Sequence, residues 1–413
     1  MLSFIAIVQV LTAIALVPLA SSKPWGTIEA RWSDKTNIIK PKVFIIDMFP
    51  PEGEAWYGIP EFNLLAKNIT VPGISPLYPD VHCTSNEEIC QIVTGEAEIN
   101  AANSMNALTF SGLFDFTTTY FMIAGIAGIN PKVATLGSVA FAKYAVQVAL
   151  QYEFDAREIP ANFTTGYVPQ GSTFPTEYPQ SIYGTEVFEV NDALRQLAIG
   201  FAQTATLNDS SAAMAYRANY ASTAAYVPGS EPPSVLGCDV ATSDVYFSGA
   251  LLGETFENTT KLFTNGSGVY CTTAQEDNGT LEALLRGALA NLTDFSRIVI
   301  MRTASDFDRP YIGESDNVAD ANIFNLFYAN QGGFEPALMN IYLAGVKVVE
   351  GIINEWDTTF EKGVKAPNYI GDIFGSLGGT PDFGLESYFN DNPVTKRSMK
   401  GLGRNAKRYA AKA

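Results

Sequence analysis

Apolar positions along the chain fall mainly into short unbroken runs. Residues 42–47 (KVFIID) form a β-branched and aromatic run between Pro41 and Pro50, the pattern of a buried strand. Residues 120–124 (YFMIA) predict a second strand that runs straight into a glycine-rich turn over 125–131 (GIAGINP). Residues 136–141 and 297–301 predict two more, the latter ending at Arg302-Thr303-Ala304-Ser305-Asp306, and residues 269–271 predict a short one. Helical spacing appears over 190–204, 279–290 and 336–356, and residues 87–93 read as a helix with Ser85 as its cap. Strands alternating with helices predict an α/β domain around a mixed or parallel sheet, where ligands gather at the carboxyl ends of the strands. Residues 162–183, rich in Gly, Pro, Ser and Thr, predict a long surface insertion.

The two ends of the chain carry different signals. Residues 2–20 are almost wholly apolar and the stretch Ala20-Ser21-Ser22 is small, so residues 1–22 read as a signal peptide, with an uncleaved anchor as the alternative. Later apolar stretches do not span a membrane on this reading: 133–150 carries Lys143 and Gln147, and 339–353 carries Lys347 and Glu350. Six sequons, at Asn68, Asn162, Asn208, Asn258, Asn265 and Asn291, predict glycosylation of a secreted or cell-surface protein, and a seventh stands at Asn278. Four cysteines allow three pairings, of which local closure favours Cys83–Cys90 and Cys238–Cys271. Residues 391–413 predict a disordered basic tail, with seven basic and no acidic residues between Lys396 and Lys412.

Composition narrows the function. Of 413 residues, 47% are hydrophobic and only 17% charged, which excludes disorder for most of the chain. The formal net charge of −17 argues against nucleic-acid binding, because phosphate backbones are repelled. The only histidine, His82, excludes a His-rich metal site and a serine–histidine triad elsewhere.

The candidate chemistry lies at the predicted strand ends. Gly125, Ala127 and Gly128 would let a ligand approach bare backbone, with a tight structural turn as the plain alternative. Asp306 and Asp308 flank Phe307 after a buried strand, where burial would turn a carboxyl into a general acid; a loop ion pair is the alternative. Gln275-Glu276-Asp277 opens a predicted helix, where carboxylates suit the helix dipole.

Taken together, GIAGINP (125–131), TLGSVAFAKY (135–144), CDVATSDVYFSG (238–249), TTAQEDNGTLEALL (272–285) and MRTASDFDRP (301–310) resemble the purine nucleoside permease family of fungi and bacteria. The likeness covers nearly all of residues 40–390, a single domain that in turn resembles the nucleoside phosphorylase and nucleosidase fold: three layers, with a central mixed sheet flanked by helices. The resemblance implies that Asp306 protonates or hydrogen-bonds purine N7, that Glu276 holds the ribose hydroxyls, and that Gly125, Ala127 and Gly128 lie beside the ribose or the nucleophile. Gln275 and Asp308 border these positions. It implies Glu52 or Glu54 as the group that activates water. Phosphorolysis is disfavoured, because no arginine stands between Arg31 and Arg157 to hold phosphate. No cofactor or metal is implied. Three functions follow as expectations: a secreted purine nucleosidase, a nucleoside-binding component serving a separate membrane transporter, or a glycoprotein that keeps the fold for a structural role. Assembly into a homo-oligomer is compatible with each.

Overall fold

The computed structural model describes residues 38–381 and Phe383. The expected signal peptide and basic tail lie outside the described residues. In chain order the strands are β1 Val43–Asp47, β2 Lys67–Thr70, β3 Asp80–Cys83, β4 Ile89–Val93, β5 Tyr120–Ile129, β6 Val139–Ala142, β7 Tyr144–Gln147, β8 Gln151–Glu153, β9 Tyr167–Pro169, β10 Val187–Glu189, β11 Val235–Gly237, β12 Asp239–Thr242, β13 Tyr270–Ala274, β14 Ile298–Phe307 and β15 Gly371–Asp372. The α-helices are α1 Pro50–Glu54, α2 Ala97–Thr109, α3 Asp192–Ala202, α4 Ser211–Arg217, α5 Val227–Ser230, α6 Ala250–Phe263, α7 Asp277–Leu289, α8 Val318–Ile323 and α9 Phe334–Asn354.

Among the described residues, all strands but β8 and β9 join one mixed sheet, and those two form a separate ribbon. All five side chains of β1 are buried, and they alternate between two faces. Phe44 and Ile46 pack with Met105 and Leu108 of α2 and Leu281 and Leu284 of α7. Val43 and Ile45 pack with Leu194 and Ala198 of α3 and Ile341 and Ala344 of α9. The arrangement is the expected α/β class, helices on both faces of a central mixed sheet. Each fully buried aliphatic or aromatic side chain contributes about 1.5–3 kcal/mol, and β1 supplies four of them to two cores.

One feature of the sheet positions the site. β1 runs parallel to β5 only as far as Ile46 opposite Ile123, whereas β5 continues to Ile129 with β14 alongside it throughout. β13 reaches β5 only at its far end, Thr272 opposite Ile129. Between the carboxyl ends of β1 and β13 the sheet is therefore split, and such crevices are where α/β sheets hold ligands.

Three expectations need correction. Residues 125–129 are not a turn but the second half of β5; glycine is required there by close neighbours, not by backbone reversal. The strand expected to end at Met301 runs on to Phe307, so Asp306 belongs to β14. Residues 87–93 are not a helix: Ile89–Val93 is β4, paired with β1 and buried on both faces, which erases the alternation that marks a half-exposed strand. The disulfide Cys83–Cys90 ties β3 to β4, and Cys238–Cys271 ties the residue before β12 to β13. Among the described helices, only α9 is long and apolar enough to cross a membrane, and it packs into the core instead: Ile341, Ala344, Val348 and Ile352 are buried.

Six sequon asparagines, Asn68, Asn162, Asn208, Asn258, Asn265 and Asn291, are exposed. Asn278 is 1% exposed, and its Nδ2 donates to Thr185 O at 2.6 Å. That nitrogen is the atom a glycan would occupy. For chain made through a eukaryotic secretory route, glycopeptide mapping is expected to find Asn278 bare beside occupied exposed sequons; a glycan on Asn278 would contradict its burial.

Candidate functional site

A cavity of about 650 Å³ opens at the split in the sheet. The end of β1 and α1, the middle of β5, the β13–α7 junction, the end of β14, the loop after β12 and residues 325–335 line it.

Glu52 is set by α1. Pro50 and Pro51 occupy the first helical positions, where no backbone N–H is needed and a fixed φ favours the turn. That single turn folds the Glu52 carboxylate back under the end of β1. Oε2 accepts from the N–H of Met48 at 2.8 Å and of Phe49 at 3.3 Å, and Oε1 from Ile126 N–H of β5 at 2.7 Å. Glu52 is 2% exposed and lines the cavity; Glu54, the alternative, is exposed and does not. Burial pushes the Glu52 carboxyl up to about 8, against the opposing pull of Arg302. Asp47, behind it, is pushed up by burial to about 7, although Gln91 and Trp56 donate to it.

Glu276 is the N-cap residue of α7 and is buried. Its Oε1 accepts from Ala97 N–H at 3.0 Å, and its Oε2 from Arg302 Nη2 at 3.1 Å. Ala97 sits at φ +73°, a left-handed conformation that costs a residue with a Cβ roughly 1–2 kcal/mol and aims its N–H at Glu276. Asp277 beside it is fully buried and also pairs with Arg302, whose Nη1 donates to Ile126 O at 3.2 Å. Burial raises the Glu276 carboxyl, and Arg302 opposes it. Arg302 is the sole cation among the described residues lining the cavity, and its donors are already engaged.

Asp306 stands at a β-bulge. Ala304 faces Ala127 and Asp306 faces Gly128, with Ser305 as the extra residue. The bulge lets Ser305, Asp306, Phe307 and Asp308 all line the cavity, which a regular strand with alternating side chains cannot do. Ser305 Oγ donates to Asp306 Oδ1 at 2.6 Å and Tyr246 OH donates to Oδ2 at 3.0 Å. Burial raises the Asp306 carboxyl, and the neighbouring Asp308 adds to it.

The other expected residues divide. Gly128 lines the cavity, and a Cβ there would meet Thr273 Oγ1 at 2.8 Å and Asp306 Oδ2 at 3.5 Å. Gly125 lies behind it; a Cβ would run into Met48 Cε and stand 2.6 Å from Arg302 Nη1 and 2.8 Å from Glu52 Oε1. Ala127 is buried, its carbonyl accepting from Ser305 Oγ, and its neighbour Ile126 lines the cavity instead. Gln275 lines it and donates to Asp244 O. Asp308 lines it too but is clamped by Arg309 and Tyr270. His82 is elsewhere, on β3 beside Asn68. Sequence reasoning missed Tyr246 and Arg302. An arginine within an apolar strand was the available signal, since a buried guanidinium requires carboxylate partners.

Residues 40–365 match the purine nucleoside permease (NUP) family. A purine nucleoside permease of Candida albicans is 48% identical over 357 residues, 85% of each chain. A probable purine nucleoside permease of Schizosaccharomyces pombe is 42% identical over 332 residues, 78% of this chain and 92% of that one. Among solved structures, a 5′-methylthioadenosine/S-adenosylhomocysteine nucleosidase from Neisseria meningitidis has a TM-score of 0.42 at 14% identity, covering 77% of this chain and 99% of that one. Futalosine hydrolase of Helicobacter pylori also scores 0.42, at 12% identity, over 77% and 98%. No residue role passes from these two structures to this chain.

The raised carboxyl of Glu52 has a consequence for stability. The folded chain holds a proton on it that the unfolded chain releases between pH 4.5 and about 8, so stability falls as pH rises through that window. Thermal unfolding is expected to give a higher Tm near pH 5 than near pH 8. The slope should be shallower in Glu52→Gln, and an unchanged slope would show that Glu52 titrates normally.

Proposed function

Because the chain belongs to the purine nucleoside permease family, we propose that it binds purine nucleosides in this cavity and hydrolyses their N-glycosidic bond, outside the cell and in support of uptake. The observation that carries this reading is the convergence of Glu52, Glu276 and Asp306 on one cavity whose lining arginine is already neutralised. Cleavage of an N-glycosidic bond builds positive charge on the sugar and negative charge on the departing base. Asp306, raised by burial, supplies a proton to N7 of the base. Glu276 accepts hydrogen bonds from the ribose hydroxyls. Glu52 accepts a proton from water; its raised carboxyl exchanges protons near neutral pH, where general catalysis is most effective.

Hydrolysis is favoured over phosphorolysis because Arg302 is the one lining cation among the described residues and Glu276 and Asp277 already hold it. A phosphate dianion would enter among carboxylates with no free guanidinium to meet it. The same repulsion selects nucleosides over nucleotides.

Binding without cleavage, in service of a separate membrane transporter, is the second reading. It is favoured by the hydrogen bonds of Asp306, both of whose oxygens already accept, one from Tyr246 and one from Ser305.

Purified protein incubated with inosine or adenosine is expected to release free base and ribose, equally with and without phosphate, and to leave inosine 5′-monophosphate untouched. Asp306→Asn should lower turnover by about 10²–10⁴-fold with little loss of binding. Glu276→Gln should weaken both, by roughly the 1.5–3 kcal/mol of a charged hydrogen bond. Nucleosides that bind and stay intact would establish the binding role and end the catalytic one.

A further inference from the structure

Tyr246 lines the cavity and reaches a buried carboxyl from an exposed position. It sits in the short loop between β12 and α6, and its side chain is 60% exposed. Its hydroxyl makes one hydrogen bond, the 3.0 Å donation to Asp306 Oδ2. The second donor to Asp306 is of another kind. Ser305 is 8% exposed, and its Oγ also lies 3.1 Å from Ala127 O, so it is fixed in the strand. The root of the loop is fixed as well: Ser243 Oγ accepts from Val245 N–H at 3.0 Å, and Gln275 Nε2 donates to Asp244 O at 3.0 Å. A ring that is mostly in solvent, on a pinned loop, can leave by rotating about its own side-chain bonds without moving backbone. Across from it Gly128 presents no side chain, and the atoms nearest to that face are Thr273 Oγ1 and Asp306 Oδ2.

We propose that Tyr246 is a displaceable stopper of the base subsite: its phenol donates to Asp306 Oδ2 in the free protein, and on binding it leaves, the carboxyl takes up a proton from solvent, and that proton is donated to N7 of the purine edge. This rests on the nucleoside-site reading above. The phenol keeps a buried carboxylate hydrogen-bonded when no ligand is present, which avoids the penalty of leaving it unsatisfied. It also sets a threshold. A ligand that cannot hydrogen-bond to Asp306 loses the phenol contact and gains nothing for it, so apolar or wrongly edged rings are rejected. The Asp306 carboxylate also holds the Tyr246 hydroxyl neutral, well above its ordinary range, so it remains a donor at every physiological pH.

The stopper and the alternative, a clamp that stays in place and orients Asp306, predict opposite signs. Binding of inosine and of 7-deazainosine, which lacks N7, would be measured by calorimetry on the full folded chain. If Tyr246 is displaced, Tyr246→Phe removes a hydrogen bond from the free state only. Inosine should then bind roughly three- to tenfold more tightly, the worth of one net hydrogen bond. 7-Deazainosine should tighten by the same factor, because either ring has to displace the phenol, and the preference for inosine should stay as it was. In an Asp306→Ala background the Tyr246→Phe gain should disappear, because the acceptor of the phenol is gone and the two changes act on one contact. A gain that persists there would mean that the ring merely obstructs the entrance and would overturn the proposal. So would weaker or unchanged binding by Tyr246→Phe, which leaves the nucleoside reading standing. Failure of the wild-type chain to bind inosine would overturn that reading and this one together.

Discussion

A single buried guanidinium holds the site together. Arg302 is 2% exposed in the middle of β14, and it reaches Glu276 and Asp277 at the start of α7 and the carbonyl of Ile126 on β5. Asp47 and Glu52 are buried nearby and feel its charge. Burial raises the carboxyls of Asp47, Glu52 and Glu276, and the one fixed positive charge opposes that rise at each of them. Buried ion pairs seldom add net stability, because desolvation costs several kcal/mol per ion, so this one is better understood as shaping the cavity floor. Gly125 follows from it: with Met48, Glu52 and Arg302 converging on that point of β5, no side chain fits.

What could be read in the sequence depended on whether the cause was local. The β1 run between two prolines, the helix α3 and the opening of α7 at Glu276 were legible, because apolar spacing and end residues act within a few positions. β4 was not. Five buried residues show neither alternation nor helical period, and the strand exists because β1 and β3 flank it and Cys83 is bonded to Cys90. The glycines of β5 were legible as a place of close approach but not as strand, because their neighbours come from Met48, Glu52, β13 and β14, far away in sequence. Of the site, Asp306 and Glu276 stood out as carboxyls after apolar runs. The choice between Glu52 and Glu54 needed the turn that Pro50 and Pro51 impose, and Tyr246 needed a contact across 60 residues.

The split sheet explains why residues so dispersed meet. β1 ends at Asp47 while β5 and β14 continue for about six residues more, and β13 closes in only at Ile129. Whatever follows β1 must turn into the gap, and so must whatever begins α7. The bulge at Ser305 completes the wall by bringing successive side chains of β14 to the same side. Backbone irregularity thus appears where chemistry-bearing groups are needed: the bulge at Ser305, the left-handed Ala97 that donates to Glu276, and the proline turn under Glu52.

The family's name is a word for transport, and α9 is the described helix that length and apolarity would offer for a membrane. Its packing argues otherwise for that helix. Ile341, Ala344, Val348 and Ile352 form one wall of the core with Val43 and Ile45 of β1 and Met122 of β5, and Asn340 is fully buried, donating to the backbone of Gly137 and Asn208. Gly345 sits where a Cβ would meet Trp56 at 2.5 Å, so the helix is fitted to its neighbours atom against atom. Moving α9 into lipid would uncover the same β1 and β5 strands whose carboxyl ends form the cavity. Each large aliphatic group exposed would cost about 1.5–3 kcal/mol, so a few such groups amount to a large share of the roughly 5–15 kcal/mol by which domains are stable. Asn340 would in addition enter hydrocarbon without its partners. The helix that looks most like a membrane span is thus part of what keeps the cavity in shape.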